Sequence, residues 1–260
     1  MLVQYGQAIL ERRRESRSSF LGVSFDCLDQ STVVSLLQKR RSSDPFCYIV
    51  TPNSDHIARI AAQPSLQEKY QKAWLCLCDS RPVQLLAKTV RRPLTHVTGS
   101  DLTSAIFERV LVSGDTVNLI VAREEIADKL VGLFPQITFQ VHVPPFGLMD
   151  KPDALMAAAR FIIDHPARFT FVAIGSPQSE LIVSRAKEDA AVCGTALCVG
   201  ASLEFITGDR PRAPAWMNQS GLEWMHRIAT DPRRLWKRYA FSVLPLLKLY
   251  WQELSVRVPR

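Results

Sequence analysis

A chain of 260 residues that is 47% hydrophobic and 22% charged has the composition of a folded globular protein. That excludes a disordered chain, collagen and a disulfide-held miniprotein, and no run approaches the roughly 20 apolar residues a bilayer crossing needs. The formal net charge of +7 is unevenly spread: residues 1–209 hold 22 basic and 22 acidic side chains, whereas residues 210–260 hold ten basic against three acidic.

Residues 1–19 are polar and charged and read as a flexible lead-in. Arg12-Arg13-Arg14 has no apolar stretch behind it, so no secretory signal is expected. Beyond it, runs rich in β-branched and aromatic residues alternate with segments of helical period. Strands are predicted over 46–51, 74–78, 117–122, 137–143, 169–174 and 195–199. Helices are predicted through Ile57 and Ile60, after Pro82, from Asp101 to about Val112, and near 124–133, 152–164 and 178–191. Pro152 suits the first turn of its helix.

Strands alternating with helices imply an α/β fold with a mostly parallel sheet covered by helices on both faces. Leu119–Ala122 and Phe169–Ile174 have the near-continuous apolar character of buried parallel strands. In such sheets ligands bind beyond the carboxyl ends of the strands. The rule selects the loops Thr51-Pro52-Asn53, Cys78-Asp79-Ser80, Gly175-Ser176-Pro177 and Gly200-Ala201-Ser202. Most of the six cysteines sit in apolar runs, as buried thiols of a reducing compartment do, so a cytoplasmic chain is expected.

Residues 20–215 read as the core and 216–260 as a helical appendage that holds four of the five tryptophans. Asp231-Pro232 reads as an N-cap followed by Pro at the first helical position. From there Trp236, Tyr239, Val243, Leu246, Leu247, Tyr250 and Leu254 recur at helical spacing, and Pro245 is expected to kink the helix. Arg233/Lys237 and Arg234/Arg238 are like-charge pairs four residues apart, unfavourable unless an anion meets them. Two readings stay open: a helix lying in the interface of an anionic membrane, or an amphipathic helix docked on its own core.

No Gly-rich dinucleotide fingerprint, Walker-type phosphate loop or G-x-S-x-G elbow occurs. The histidines and cysteines lack metal-ligand spacing, and there is no Asp-x-Asp pair. Neither a metal nor a cofactor is expected; an anionic ligand would be met by Arg, Lys and backbone N–H groups. Asp79 directly ends the apolar run Trp74–Cys78. A partly desolvated carboxylate at a strand end can act as a general base. The same residue could equally be the N-cap of the helix after Pro82.

The segments Gly200-Ala201-Ser202-Leu203-Glu204-Phe205, Gly208, Arg212-Ala213-Pro214-x-Trp216, Gly221-Leu222-Glu223-Trp224-x-His226-Arg227 and Asp231-Pro232-x-Arg234-Leu235-x-Lys237-Arg238-Tyr239 closely resemble the C-terminal signature of the WecG/TagA/CpsF glycosyltransferases. Thr51-Pro52-Asn53, Cys78-Asp79-Ser80-x-Pro82-Val83, Gly99-Ser100-Asp101-Leu102, Pro144-Pro145-Phe146-Gly147 and Gly175-Ser176-Pro177-Gln178-Ser179-Glu180 fall in that family's order and spacing. The resemblance spans roughly residues 20–245.

It implies a Rossmann-like core with a C-terminal appendage. The implied activity is an inverting, metal-independent transfer of a hexose-type sugar from a UDP-sugar to a saccharide on polyprenyl pyrophosphate. The setting would be bacterial cell-surface polysaccharide synthesis, with the enzyme peripheral on the cytoplasmic face of the inner membrane and in contact with anionic lipid; a homo-oligomer is admitted. Asp79 takes the place of the general base. Thr51, Asn53, Gly99, Asp101, Gln178 and Glu180 fall among sugar-binding positions. Gly175, Ser176, Gly200, Arg212, Arg227, Arg234, Lys237 and Arg238 fall at the nucleotide or diphosphate.

The chain also departs from the family. Ser80-Arg81 stand where many members have Gly after the aspartate, Ser179 where Gln is usual, and Glu204 where Asp is usual. A sugar contact by a long amide at position 179 is therefore lost or passes to a neighbour such as Gln178. A reading from another class, a nucleic-acid-binding protein using the basic, aromatic C-terminus, lacks a recognised motif, and its aromatics follow helical spacing instead of forming a stacking platform. A dinucleotide-dependent oxidoreductase would need the missing Gly-rich fingerprint.

Overall fold

The computed structural model describes residues 17–211, Met217 and a helix over 232–255, the side chains of that helix from Val243 onward. It opens with an antiparallel hairpin, β1 (Arg17–Phe20) and β2 (Val23–Asp26). The connecting Leu21 and Gly22 have φ of 53° and 77°, the left-handed pair that a tight two-residue hairpin demands. Three residues of the expected lead-in thus belong to the folded core. Asp26 anchors the hairpin: it pairs with Arg17 at 3.2 Å and accepts the Cys76 N–H at 2.8 Å.

The central sheet is all-parallel: β3 (Cys47–Val50), β4 (Leu75–Cys76), β5 (Thr116–Val121), β6 (Thr138–His142), β7 (Phe169–Ala173) and β8 (Thr195–Cys198), in the order β4-β3-β8-β7-β5-β6. Alternate side chains feed two apolar layers. Tyr48, Val50, Ile120, Val172 and Cys198 face one; Ile49, Leu119, Phe171 and Leu197 face the other. This is the Rossmann-like α/β architecture.

Helices α1 (Gln30–Gln38), α2 (Ser54–Ala62), α3 (Pro64–Gln71), α4 (Arg81–Thr89), α5 (Gly99–Arg109), α6 (Glu124–Leu133), α7 (Pro152–Asp164), α8 (Gln178–Ala186), α9 (Ser202–Ile206) and α10 (Pro232–Ser255) cover the sheet. Apolar residues of α2, α3, α4, α7, α8 and α10 join the first layer, and those of α1, α5, α6 and α9 the second. Neighbouring strands β3 and β8 therefore send their helices to opposite faces, which opens a crevice at their carboxyl ends.

α10 packs along α2, with Leu246 buried and Leu249, Tyr250 and Leu254 set against the core. The Tyr250 and Thr89 hydroxyls lie 2.6 Å apart. The helix runs on both sides of Pro245. Its other face displays Leu244, 73% exposed, and Trp251, 68% exposed, beside Val243 and Leu247. The docked reading thus describes one face of α10, and an apolar stripe remains on the other. Among the described residues no helix is long and apolar enough to cross a membrane. All six cysteines are free thiols.

Candidate active site

Beyond β3 the chain turns through Thr51-Pro52-Asn53 into α2. Asn53 is the N-cap: its Oδ1 accepts from Asp55 N at 3.1 Å and His56 N at 3.3 Å, and its own N–H donates to His56 Nδ1 at 3.1 Å. The carbonyl end of the amide therefore holds the helix start, and Nδ2 is the end not used in the cap.

Asp79 follows β4 and is held from two sides. Its N–H donates to Pro52 O at 3.1 Å, and its Oδ2 accepts from Gly99 N at 3.1 Å. Val97 N donates to Cys78 O at 3.0 Å, which lays the approach to α5 beside this loop. The N-cap of α4 is Ser80, whose Oγ accepts from Val83 N at 3.3 Å. Asp79 therefore does not cap the helix after Pro82. Its carboxylate meets the first residue of α5 instead, where the positive end of the helix dipole favours an anion. Thr98 caps that helix through Asp101 N at 3.0 Å, and Asp101 lies in the first turn.

The loop after β7 turns on Gly175 (φ 87°), a left-handed position that suits glycine. Ser179 Oγ donates to Gly175 O at 2.8 Å, and Arg59 Nη1 donates to Ser176 O at 2.5 Å while Nη2 pairs with Asp55 at 2.8 Å. Arg59 thus ties the loop after β7 to the helix after β3. Glu180 lies beneath this loop, 3% exposed, with Tyr70 O–H donating to its Oε1 at 2.8 Å. Burial pushes its carboxyl above the usual range. Gln178 is the first residue of α8, and its buried Oε1 has no partner among the described residues.

After β8, Gly200 has φ 53°, and Ser202 opens α9 with its Oγ donating to Val199 O at 2.6 Å. The loops after β3, β4 and β8 converge over Gly99. A Cβ built there would lie 2.9 Å from Thr51 Oγ1, 3.5 Å from Ser202 Oγ and 3.6 Å from Asp79 Oδ2. The structure thus brings Thr51, Asp79 and Gly99 together and adds Ser202, a residue whose loop the strand-end rule selects but which is not itself expected as a ligand. Ser176, Gln178 and Glu180 gather at the neighbouring loop. Arg212 and Arg227 lie outside the described residues, as do the side chains of Arg234, Lys237 and Arg238 on α10.

Fold and site together define an α/β enzyme with a carboxylate anchored at the crevice where its strands end. The chain belongs to the glycosyl transferase WecG/TagA/CpsF family, whose match spans residues 18–258, and it is a glycosyltransferase. Similar proteins include the N-acetylglucosaminyldiphosphoundecaprenol N-acetyl-beta-D-mannosaminyltransferases of Staphylococcus aureus strains NCTC 8325 / PS 47, COL and N315. Each is 26% identical over 239 residues, which cover 88% of this chain and 89% of the relative.

Proposed function

We propose that the enzyme transfers a hexose-type sugar from a UDP-sugar to a saccharide on polyprenyl pyrophosphate, in the synthesis of a bacterial cell-surface polysaccharide. The names of the relatives support the acceptor, since they specify N-acetylglucosaminyldiphosphoundecaprenol. The observation that carries the mechanism is the Asp79 carboxylate, held by the Gly99 N–H at the crevice beside Thr51.

The acceptor hydroxyl loses its proton to Asp79 as its oxygen bonds to the anomeric carbon. The bond from that carbon to the diphosphate oxygen breaks, and UDP leaves with the electron pair. A single displacement of this kind inverts the anomeric centre. The hydroxyl has a pKa far above neutrality, so a base at the reacting atom lowers the barrier. Negative charge grows on the leaving diphosphate, and fixed cations stabilise it. We assign that work to Arg212, Arg227, Arg234 and either Lys237 or Arg238, with backbone amides of the Gly175-Ser176 and Gly200 loops, and without a metal. Thr51, Asn53, Asp101 and Gln178 are assigned to the sugars, and Glu180 to holding the loop above it.

The exposed Leu244, Leu247 and Trp251 and the basic surplus of residues 210–260 support peripheral contact with an anionic membrane, on its cytoplasmic face. The family match lends nothing to the nucleic-acid reading. The reading is tested by UDP release from a panel of UDP-sugars, with and without an N-acetylglucosaminyl-diphospholipid in detergent. One donor giving acceptor-dependent release that persists in EDTA is expected. No acceptor-dependent release from any donor would overturn the assignment, and loss on chelation with rescue by Mn²⁺ or Mg²⁺ would overturn its metal-free part.

A further inference from the structure

Helix α4 closes its last turn with two hydrogen bonds, Arg91 N–H to Lys88 O at 3.1 Å and Arg92 N–H to Ala87 O at 2.9 Å. That is the Schellman pattern, in which the residue after the cap turns left-handed and is usually glycine. Here it is Arg91, with φ 54°. Among the described residues only Leu21, in the hairpin, shares such a conformation without being glycine. A cation in a last helical turn suits the helix dipole, which accounts for Lys88. It does not account for an arginine at the position of the motif where a side chain strains the backbone.

The stretch 81–93 holds four basic residues and no acidic one, although the charges of residues 1–209 balance. Lys88 and Arg91 are exposed, and among the described residues neither side chain has an ion-pair or hydrogen-bond partner. Arg92, by contrast, faces Glu253 of α10 at 4.0 Å. Leu85 lies three residues before Lys88, hence on the same side of α4, and is 51% exposed. This surface adjoins α10: the Thr89 and Tyr250 hydroxyls lie 2.6 Å apart, and Tyr250 precedes the exposed Trp251.

We propose that Leu85, Lys88 and Arg91 form a second contact with anionic lipid, carried by the α/β core beside α10. The inference goes beyond the appendage and rests on the reading that the enzyme works at an anionic bilayer. Unpaired cations around a half-exposed leucine match a surface of phosphate headgroups over hydrocarbon. A single amphipathic helix in an interface can roll about its own axis, and a contact off that axis stops the roll. Helix α4 starts behind its cap Ser80, next to Asp79, and runs nine residues toward this contact, roughly 13 Å at the rise of an α-helix. The second contact therefore sets the height and tilt of the crevice above the bilayer.

The test is sedimentation of the full-length enzyme with phosphatidylglycerol vesicles. One basic side chain at such a surface is worth about fivefold in binding, so Lys88→Ala with Arg91→Gly should bind about 20- to 30-fold more weakly. The loss should vanish in 1 M salt, where the screening length is about 3 Å. The melting temperature should not fall, since glycine suits position 91, and turnover on an acceptor in detergent should match the wild type. Leu85→Ser should weaken binding about threefold at either salt concentration; unaltered binding would remove the apolar part of the contact. Binding of the double variant within about twofold of wild type, where Trp251→Ser with Leu244→Ser weakens it, would refute the contact on α4 and leave that on α10. A loss that persists undiminished in 1 M salt would mean that the variant disturbs the docking of α10, and would overturn the proposal as well. A wild type that does not sediment with the vesicles would refute both contacts.

Discussion

At the carboxyl ends of the strands, a few polar groups of the loops after β3, β4 and β8 gather around Gly99, whereas at the amino ends Lys39, Arg40, Arg41 and Arg168 line a cavity of about 580 Å³. On charge and size alone, the amino-end cavity would rank as the better anion site. Its two most engaged arginines are nevertheless bound into the fold. Arg168 donates to the carbonyls of Arg40, Val110 and Gln38 and pairs with Asp115 at 2.7 Å. Arg40 donates to Thr195 Oγ1 at 2.8 Å and to Pro45 O and Gly194 O. They close the chain turns where strands enter the sheet. A count of cations therefore does not mark a site.

The contrast can be broken first at the appendage. Arg234→Ala and Arg238→Ala should each cut turnover by roughly 100- to 1,000-fold if they meet the leaving diphosphate. Each removes only about 1 kcal/mol of attraction to an anionic surface, so sedimentation with phosphatidylglycerol vesicles should persist. Unchanged turnover would place that arginine outside the chemistry. Arg168→Ala probes the opposite end of the sheet. It removes one partner of a pair whose side chains are only 13% and 12% exposed, so the expected loss is about 3 kcal/mol of stability in denaturant with activity per folded molecule unchanged. Loss of activity without loss of stability would make the amino-end cavity functional.

A smaller effect is expected on the outer face of α10. Trp251→Ser with Leu244→Ser leaves the docked Leu246 in place and should weaken vesicle binding by about 2 kcal/mol or more. Unaltered binding would leave the stripe without a lipid role. The smallest concerns Glu180. Burial raises its carboxyl pKa above the ordinary 4.5, so the folded chain keeps a proton that the unfolded chain releases. The stability this contributes is full below about pH 4.5 and is lost as pH rises through the raised value, by up to about 1.4 kcal/mol per pH unit within that window. Glu180→Gln keeps an acceptor for Tyr70 and lacks this slope, so its melting curve should gain on the wild type as pH rises. Parallel pH profiles would show that Glu180 does not titrate in this way.

Much of the sheet is legible in the sequence because a parallel strand buried on both faces is apolar along most of its length: β5, β7 and β8 fall within one residue of their predicted bounds, and α6 and α7 span 124–133 and 152–164 as expected. β4 is shorter than the predicted 74–78, covering Leu75–Cys76, and its continuation survives as a bridge between Cys78 and His96. The hairpin Arg17–Asp26 is not legible, since its anchor is a hydrogen bond from Cys76, fifty residues away, to Asp26. Nor is α1, whose serines, threonine and glutamines dilute the apolar period. At the site, Thr51 and Asp79 can be found from their places at strand ends. The same rule selects the loop of Ser202, but that its hydroxyl comes beside theirs follows only from the pairing of β8 with β3. Position 179 shows the same limit: the hydroxyl of Ser179 bonds Gly175 O in a buried setting, a role its motif does not reveal.

The central claim is that Asp79 takes the proton of the attacking hydroxyl, and the most direct measurement is turnover of Asp79→Asn beside its melting curve. Asparagine keeps an acceptor for the Gly99 N–H, so the loop and the start of α5 should stand and the melting temperature should stay near that of the wild type. Turnover should fall by roughly 100- to 10,000-fold, the cost of losing a general base, with binding of UDP retained. An Asp79→Asn enzyme with native melting and near wild-type turnover would show that the carboxylate only braces the helix start, and the proposed chemistry would need another base.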